Sequence, residues 1–183
     1  MTIKKQKVSR RFHAEKSTAR TCRCQLAERR ALGLGPLEEL FLDLARLHCT
    51  AIATDQDAAR SAARELATSR LGITEGQRFF VCVTDLMEAI RRDRPGPFGF
   101  LPACCTVVCA DELDMIALLR ACRFSNKAII ETRVSQLLQG MESSAVIAAA
   151  HAVVRAERNG ADALQIIHAS LSDTGIHPSR VLH

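Results

Sequence analysis

Cysteine is the residue type in this chain with the most distinctive chemistry, because a thiolate can bind a metal ion or exchange disulfides. Eight of the 183 residues are cysteines, and five of them fall in two short clusters. Cys22 and Cys24 are separated by one arginine, and the second cluster contains Cys104, Cys105 and Cys109. Three cysteines in six residues are hard to explain by packing alone, so we expect a cysteine-centred site.

The two clusters together hold enough thiols for a metal site. Zinc is usually held by about four cysteine, histidine or carboxylate ligands in a tetrahedron. Such a site would pin the N-terminal segment to the rest of the chain, and its binding energy would contribute to folding. The spacings differ from the C-x₂-C of a zinc knuckle, so the ligands would come from distant segments. The predicted zinc ligands are Cys22, Cys24, Cys104, Cys105 and Cys109.

A redox thiol is an alternative use of the same residues. Cys109 lies just before a helix that we expect to begin at Asp111, and a helix N-terminus stabilises a thiolate. Exposed thiols of low pKa can sense oxidants or exchange disulfides. Packing is the other alternative, since a free cysteine behaves as a small hydrophobic residue. We expect that role for Cys49, Cys82 and Cys122, which fit apolar helical faces.

The N-terminal segment is strongly basic. Residues 1–30 contain ten Lys and Arg against two Glu, a net charge of +8, whereas the other 153 residues carry −3. A basic arm can bind nucleic acid by neutralising phosphates and releasing counterions, or it can be a solvated terminus. The residues predicted to contact nucleic acid or another anion are Lys4, Lys5, Lys7, Arg10, Arg11, Arg20 and Arg23.

Sequence motifs of common enzymes are not found. The chain has no G-x-G-x-x-G, no P-loop and no G-x-S-x-G, which mark dinucleotide, nucleotide and hydrolase sites. His151 and His168 flank Asn159-Gly160, which we predict to be a turn, so a helical hairpin would bring the two imidazoles to similar heights. These observations favour a protein that is not an enzyme. A small thiol- or metal-dependent enzyme with a pocket near residues 95–105 is an alternative.

Apolar residues recur at helical spacing along most of the chain. Leu40, Leu44 and Leu47, for example, share one face of a helix that begins near Pro36. The pattern predicts about six to seven helices with short loops, which is typical of antiparallel packing. Gly and Pro number only 9 and 5, too few for a turn-rich β-sandwich. We therefore expect an all-α fold, a compact helical bundle with a flexible basic N-terminal arm.

One proline- and glycine-rich stretch, residues 94–102, interrupts the helical pattern, because proline cannot continue a helix. Phe98 and Phe100 within it either dock a partner or fold back on the core. The predicted organisation is a basic arm 1–33, one helical domain 34–175 with halves 36–93 and 103–172, and a loose tail 176–183.

Composition narrows the class of protein. Hydrophobic residues make up 48% and charged residues 25%, which is typical of globular domains. No apolar run reaches the roughly 18 residues of a membrane span, and no secretory signal follows the basic start. We expect a cytoplasmic protein with reduced thiols. The leading hypothesis is a non-enzymatic regulatory or protein-interaction domain with a cysteine-centred site, whose partner is another protein.

Overall fold

A computed structural model describes the backbone of residues 26–173 and the side chains of residues 26–160. Six helices account for most of this part of the chain, which confirms the predicted all-α bundle. The helices are α1 (Pro36–Thr54), α2 (Asp57–Leu71), α3 (Ile73–Asp93), α4 (Ala110–Arg123), α5 (Lys127–Leu137) and α6 (Ser144–Asp173). The described strands are β1 (Ala27–Glu28) and β2 (Val107–Val108), and a 3₁₀ helix, Arg29–Leu32, follows β1.

All six helices contribute to one main core. Buried side chains from both sides of the proline-rich stretch pack together there, among them Phe41 of α1, Phe79 of α3, Leu118 of α4 and Val153 of α6. Burial of a large apolar side chain contributes about 1.5–3 kcal/mol each, so this core is the main source of stability. A smaller cluster under the 3₁₀ helix centres on Leu42, which points away from the main core.

The N-terminal boundary of the helical body differs from the prediction. Strand β1 pairs antiparallel with β2, so that Ala27 lies opposite Val108. The guanidinium of Arg29 then binds Asp43 of α1 with a 2.8 Å hydrogen bond. Residues 26–33, which the sequence placed in a flexible arm, are therefore attached to the bundle by backbone pairing and an ion pair.

Helix α6 runs straight through the predicted turn. Asn159 and Gly160 lie inside Ser144–Asp173, so α6 replaces the two helices that we expected. A Cβ placed on Gly160 would lie 3.5 Å from the side chain of Leu71, an ordinary contact distance. Close packing against the end of α2 holds this stretch in the helix and overrides the turn preference of Asn-Gly.

Helix ends follow local chemistry. Gly72 separates α2 from α3 with a φ of +79°, a conformation that glycine adopts without strain. Helix α4 begins after Cys109 rather than after Asp111, and α5 is capped by Asn126, whose side chain accepts a hydrogen bond from the Ile129 N–H. Within the described part of the chain, none of the helices combines the length and apolarity that a membrane crossing requires.

Candidate functional site

The second cysteine cluster lies on the segment that joins α3 to α4. Cys104 is exposed, Cys105 is half-buried and Cys109 is buried. The Cys105 N–H donates to the Pro102 carbonyl at 3.0 Å, which closes a tight turn around Cys104. Cys104 and Cys105 precede β2, whereas Cys109 follows it, so the three thiols do not share one environment.

Cys109 does not have the acidic thiol that its place at a helix start suggested. Burial raises its pKa to about 12, and the nearby Glu112 carboxylate adds to the increase. The Cys109 Sγ donates to the Gly99 carbonyl at 3.5 Å. Burial and the carboxylate therefore oppose a reactive thiolate at Cys109, and the redox alternative stays a prediction.

Of the three cysteines that we expected to pack in the core, two are buried. Cys49 and Cys122 are buried, and burial raises the pKa of both thiols, that of Cys122 to about 11. Cys82 is half-buried, and burial raises its pKa as well. These thiols stay protonated at neutral pH and are poor nucleophiles and metal ligands.

The described side chains, residues 26–160, contain no group of three or more Cys, His, Asp or Glu arranged to hold a metal ion. Cys22 and Cys24 lie outside the described residues, so the five-cysteine zinc site stays a prediction. The predicted nucleic-acid contacts also lie outside them, and they stay a prediction too: Lys4, Lys5, Lys7, Arg10, Arg11, Arg20 and Arg23.

A fully buried arginine organises the cysteine segment. The Nε of Arg46 lies 2.8 Å from Oε1 of Glu112, and both side chains are shielded from solvent. Arg46 also donates to the carbonyls of Cys105 at 2.8 Å and Val107 at 2.6 Å. Glu112 in turn accepts from the backbone N–H of Cys109 at 3.0 Å. One ion pair therefore fixes the backbone on both sides of β2.

A second arginine fixes the proline-rich stretch. Arg94 binds both carboxylate oxygens of Asp111 and donates to the Leu137 carbonyl at 2.7 Å. The ring of Phe98 lies 5.5 Å from the Arg94 guanidinium and is 2% exposed. Phe100 is half-buried against the core. This stretch has folded back on the core, so of the two alternatives for these phenylalanines the structure favours packing.

The described histidine side chains are His48, which has an acidic neighbour, and His151, which lies on α6. The Nε2 of buried His48 lies 3.3 Å from Oε1 of Glu88 without a well-aligned hydrogen bond. Burial lowers the pKa of His48, and the Glu88 carboxylate opposes that change. His151 and His168 are 17 residues apart on the continuous helix α6, which separates their backbones by about 25 Å. The hairpin that was to bring them together is absent.

An open apolar groove of about 640 Å³ follows the outer side of α4. Ala117 and Ala121 contribute small side chains one helical turn apart. Phe124, just beyond the end of α4, is 82% exposed, and Ile129 of α5 is 47% exposed. The residues that line the groove are Leu32, Leu34, Leu113, Asp114, Ile116, Ala117, Arg120, Ala121, Phe124, Asn126, Ile129 and Arg133.

The charged residues of the α4 groove differ in their partners. Arg120 is neutralised by Glu38, with two hydrogen bonds of 2.9 Å. Arg133 donates to the Gln136 side chain at 3.0 Å, and no carboxylate among the described side chains lies within ion-pair distance of it. Burial raises the pKa of Asp114, while Arg133 acts in the opposite direction. Arg133 is therefore a cation that a ligand in the groove can approach.

Two further grooves are smaller. One of about 440 Å³ lies at the start of α1, beside Glu38, Arg123 and Glu157, which already form a network of ion pairs. The other, of about 290 Å³, lies between α1 and α2. None of these three grooves is lined by residues 95–105, where a pocket was expected for the enzyme alternative.

Sequence reasoning missed the α4 groove and the buried arginine, although signals for both were present. Phe124 and Ile129 are large apolar residues that belong to no predicted core face. Arg46 lies on α1, a helix with buried residues on more than one face, among them Leu42 and Leu44. A charged residue on a buried face of such a helix needs a partner.

Comparison of the chain with models of protein families, with curated proteins and with solved structures finds no match. The function must therefore be argued from the residues of this chain.

Proposed function

We propose that this chain is a protein-interaction domain, and that the α4 groove binds an amphipathic helix of another protein. The observation that carries the proposal is the exposed pair Phe124 and Ile129 at the border of an apolar groove. Large exposed apolar surfaces on soluble domains commonly mark binding sites. A helix-in-groove complex is one of the recurring ways in which such a surface is used.

The shape of the groove fits a short helix. Leu113 lies in the first turn of α4 and Phe124 directly follows its last residue, and a separation of eleven residues corresponds to about 16 Å or three helical turns. Ala117 and Ala121 lie between them and leave room for close approach, since helix axes pack at about 8–10 Å. An incoming helix of three turns can therefore place an apolar stripe along α4, with Phe124 and Ile129 as anchors.

The polar border of the groove indicates the chemistry of the partner. Arg133 has no ion-pair partner among the described side chains, whereas Arg120 is already bound to Glu38. A carboxylate beside the apolar stripe of the partner can pair with Arg133 and exclude water from the groove edge. Rim charges of this kind add more to specificity and association rate than to affinity.

A second copy of this chain is a weaker candidate for the occupant. Within residues 26–160, the other exposed large apolar side chains are Leu26, Ile73, Val81 and Met141. Ile73 and Val81 both lie on α3, eight residues apart, whereas Leu26 and Met141 lie outside the helices, so no described helix presents three of these side chains as an apolar stripe. The described surface therefore offers the groove but no matching helix.

The proposal is tested with a library of displayed helical peptides of about 15 residues, selected for binding to the full chain. We expect the selected peptides to carry apolar residues at i, i+3, i+4 and i+7 with acidic residues beside them. Phe124→Ser should weaken binding of a synthesised peptide by about tenfold or more, because buried aromatic anchors dominate such interfaces. Arg133→Glu should weaken the binding of acidic peptides and spare their Gln-substituted versions.

The matched control is Ile73→Ser, because Ile73 is also 82% exposed but lies outside the groove. This variant should bind the peptide as the unchanged chain does. Equal losses for Phe124→Ser and Ile73→Ser would contradict the proposal. So would a dimer, seen by sedimentation, that Phe124→Ser dissociates, since the occupant would then be a second copy.

A further inference from the structure

We propose that Cys104 and Cys105 form a two-thiol site for a soft, thiophilic ion, with Cu(I) and As(III) as the class of ligand. The two residues are consecutive, so their Cα atoms are about 3.8 Å apart. Cys104 is exposed and Cys105 is half-buried, which leaves both accessible to an ion from solution. Neither residue lines the α4 groove, so this site is independent of the proposed peptide binding.

The backbone around the two thiols is held in place from the interior. The Cys105 N–H donates to the Pro102 carbonyl, and Arg46 donates to the Cys105 carbonyl at 2.8 Å. The same arginine donates to the Val107 carbonyl. Arg46 is itself fixed by Glu112. Two thiols on a backbone that is already held lose less conformational entropy on binding than two thiols on a mobile loop.

The ligand set favours a soft ion over a hard one. Thiolates select soft metal ions such as Cu(I), whereas carboxylates and carbonyls suit magnesium and calcium. Zinc needs about four ligands, and the described residues bring no third His, Cys, Asp or Glu to the pair. Two thiols satisfy an ion of low coordination number without further protein ligands.

The binding reactions are simple exchanges of protons or water. Cu(I) displaces one proton from each thiol and forms a bis-thiolate with a net charge of −1, so two protons are released. Arsenous acid, As(OH)₃, forms two As–S bonds and one As–OH remains, so two water molecules are released. Neither reaction changes the oxidation state of sulfur, copper or arsenic.

The test uses the full reduced chain and two probes. Phenylarsine oxide condenses with two thiols and releases one water, and we expect one equivalent to bind per chain. Cu(I) is supplied from a coloured chelator, and its transfer to the protein is read from the loss of the chelator band. Cys104→Ser and Cys105→Ser should each weaken the binding of both probes roughly 100-fold. A single remaining thiol cannot close a ring on the bound ion and loses the gain from a second, intramolecular bond.

The control is Cys82→Ser, which removes a half-buried thiol that has no neighbouring cysteine in sequence and should leave both affinities unchanged. Binding of only one probe identifies which ion the site accepts. In a chain that also carries Cys22→Ser and Cys24→Ser, binding that survives replacement of both Cys104 and Cys105 would overturn the proposal. A tenfold loss in a Cys22→Ser/Cys24→Ser double variant would also overturn it, in favour of the larger site predicted from the sequence.

Discussion

Arg46 of α1 and Glu112 of α4 form a two-pronged ion pair in the interior of the bundle. The distances are 2.8 Å from Nε to Oε1 and 3.0 Å from Nη2 to Oε2, and the side chains are 0% and 1% exposed. Between them the two residues hold the backbone at Leu101, Cys105, Val107 and Cys109. This pair therefore connects the first half of the bundle to the cysteine segment.

Breaking the Arg46–Glu112 pair should cost far more than breaking an exposed pair. Glu112→Gln leaves a buried guanidinium without its counter-charge, and we expect a loss of about 3–5 kcal/mol in the free energy of unfolding. Urea denaturation measures the change. Asp57→Asn is the control, because the Asp57–Arg60 pair is exposed and worth about 0–1 kcal/mol. A loss of unfolding free energy for Glu112→Gln as small as that of the control would contradict a buried Arg46–Glu112 ion pair.

A glycine-to-alanine variant at position 160 distinguishes a continuous α6 from the turn expected at Asn159-Gly160, and one at position 76 in α3 is the comparison. In the helix, Gly160→Ala should stabilise the protein by about 0.5–1 kcal/mol, since glycine is a poor helix former and the new Cβ meets Leu71 at 3.5 Å. Gly76→Ala should destabilise it, because a Cβ there would lie 2.5 Å from the Ala67 carbonyl oxygen. Thermal unfolding followed by circular dichroism shows whether each variant is more or less stable than the unchanged chain. Destabilisation by Gly160→Ala would indicate a turn.

Acid should weaken the network around Glu38. The hydrogen bond from Arg120 lowers the pKa of Glu38 to about 2 from an ordinary 4.5, and Arg123 adds to the effect. A carboxylate with a depressed pKa stabilises the folded state above pH 4.5, and this contribution of about 3 kcal/mol disappears as the pH falls towards 2. Glu38→Gln should therefore lower stability at pH 6 but have much less effect near pH 2. A difference in stability between Glu38→Gln and the unchanged chain that does not vary with pH would contradict the lowered pKa of Glu38.

His48 should make the fold less stable in mild acid. Burial lowers the pKa of His48 below 6.5 in the folded state, despite the attraction of Glu88. The unfolded chain therefore binds a proton first, and stability that is complete above pH 6.5 is lost as the pH falls through the native pKa. NMR titration of the His48 ring reports that pKa directly. A native value above 6.5 would mean that the Glu88 contact outweighs burial.

Local patterns were sufficient for most of the helices. The apolar spacing of α1 depends on nearby residues only, and this helix begins at Pro36, where the sequence predicted it. The prediction of a turn at Asn159-Gly160 was wrong, because packing against Leu71 keeps these residues helical. Strands β1 and β2 have two residues each, too few to produce a periodic signal.

The candidate sites were less predictable, because they depend on contacts between distant residues. The raised pKa of Cys109 comes mainly from burial, which spacing does not reveal, and in part from Glu112, which lies only three residues further along the chain. Arg46 reaches Glu112 across 66 residues of sequence. Phe124 and Ile129 gave a local signal for the groove, because they are apolar residues outside every predicted core face.

The most direct test of groove binding is a methyl NMR titration of the full chain with a selected helical peptide. We expect the methyl signals of Leu113, Ile116 and Ile129 to shift on addition of the peptide, with Ile73, Val81 and Met141 as internal references that do not move. That result would place the bound helix along α4. Shifts confined to the three reference residues, with the groove methyls unchanged, would contradict the central claim.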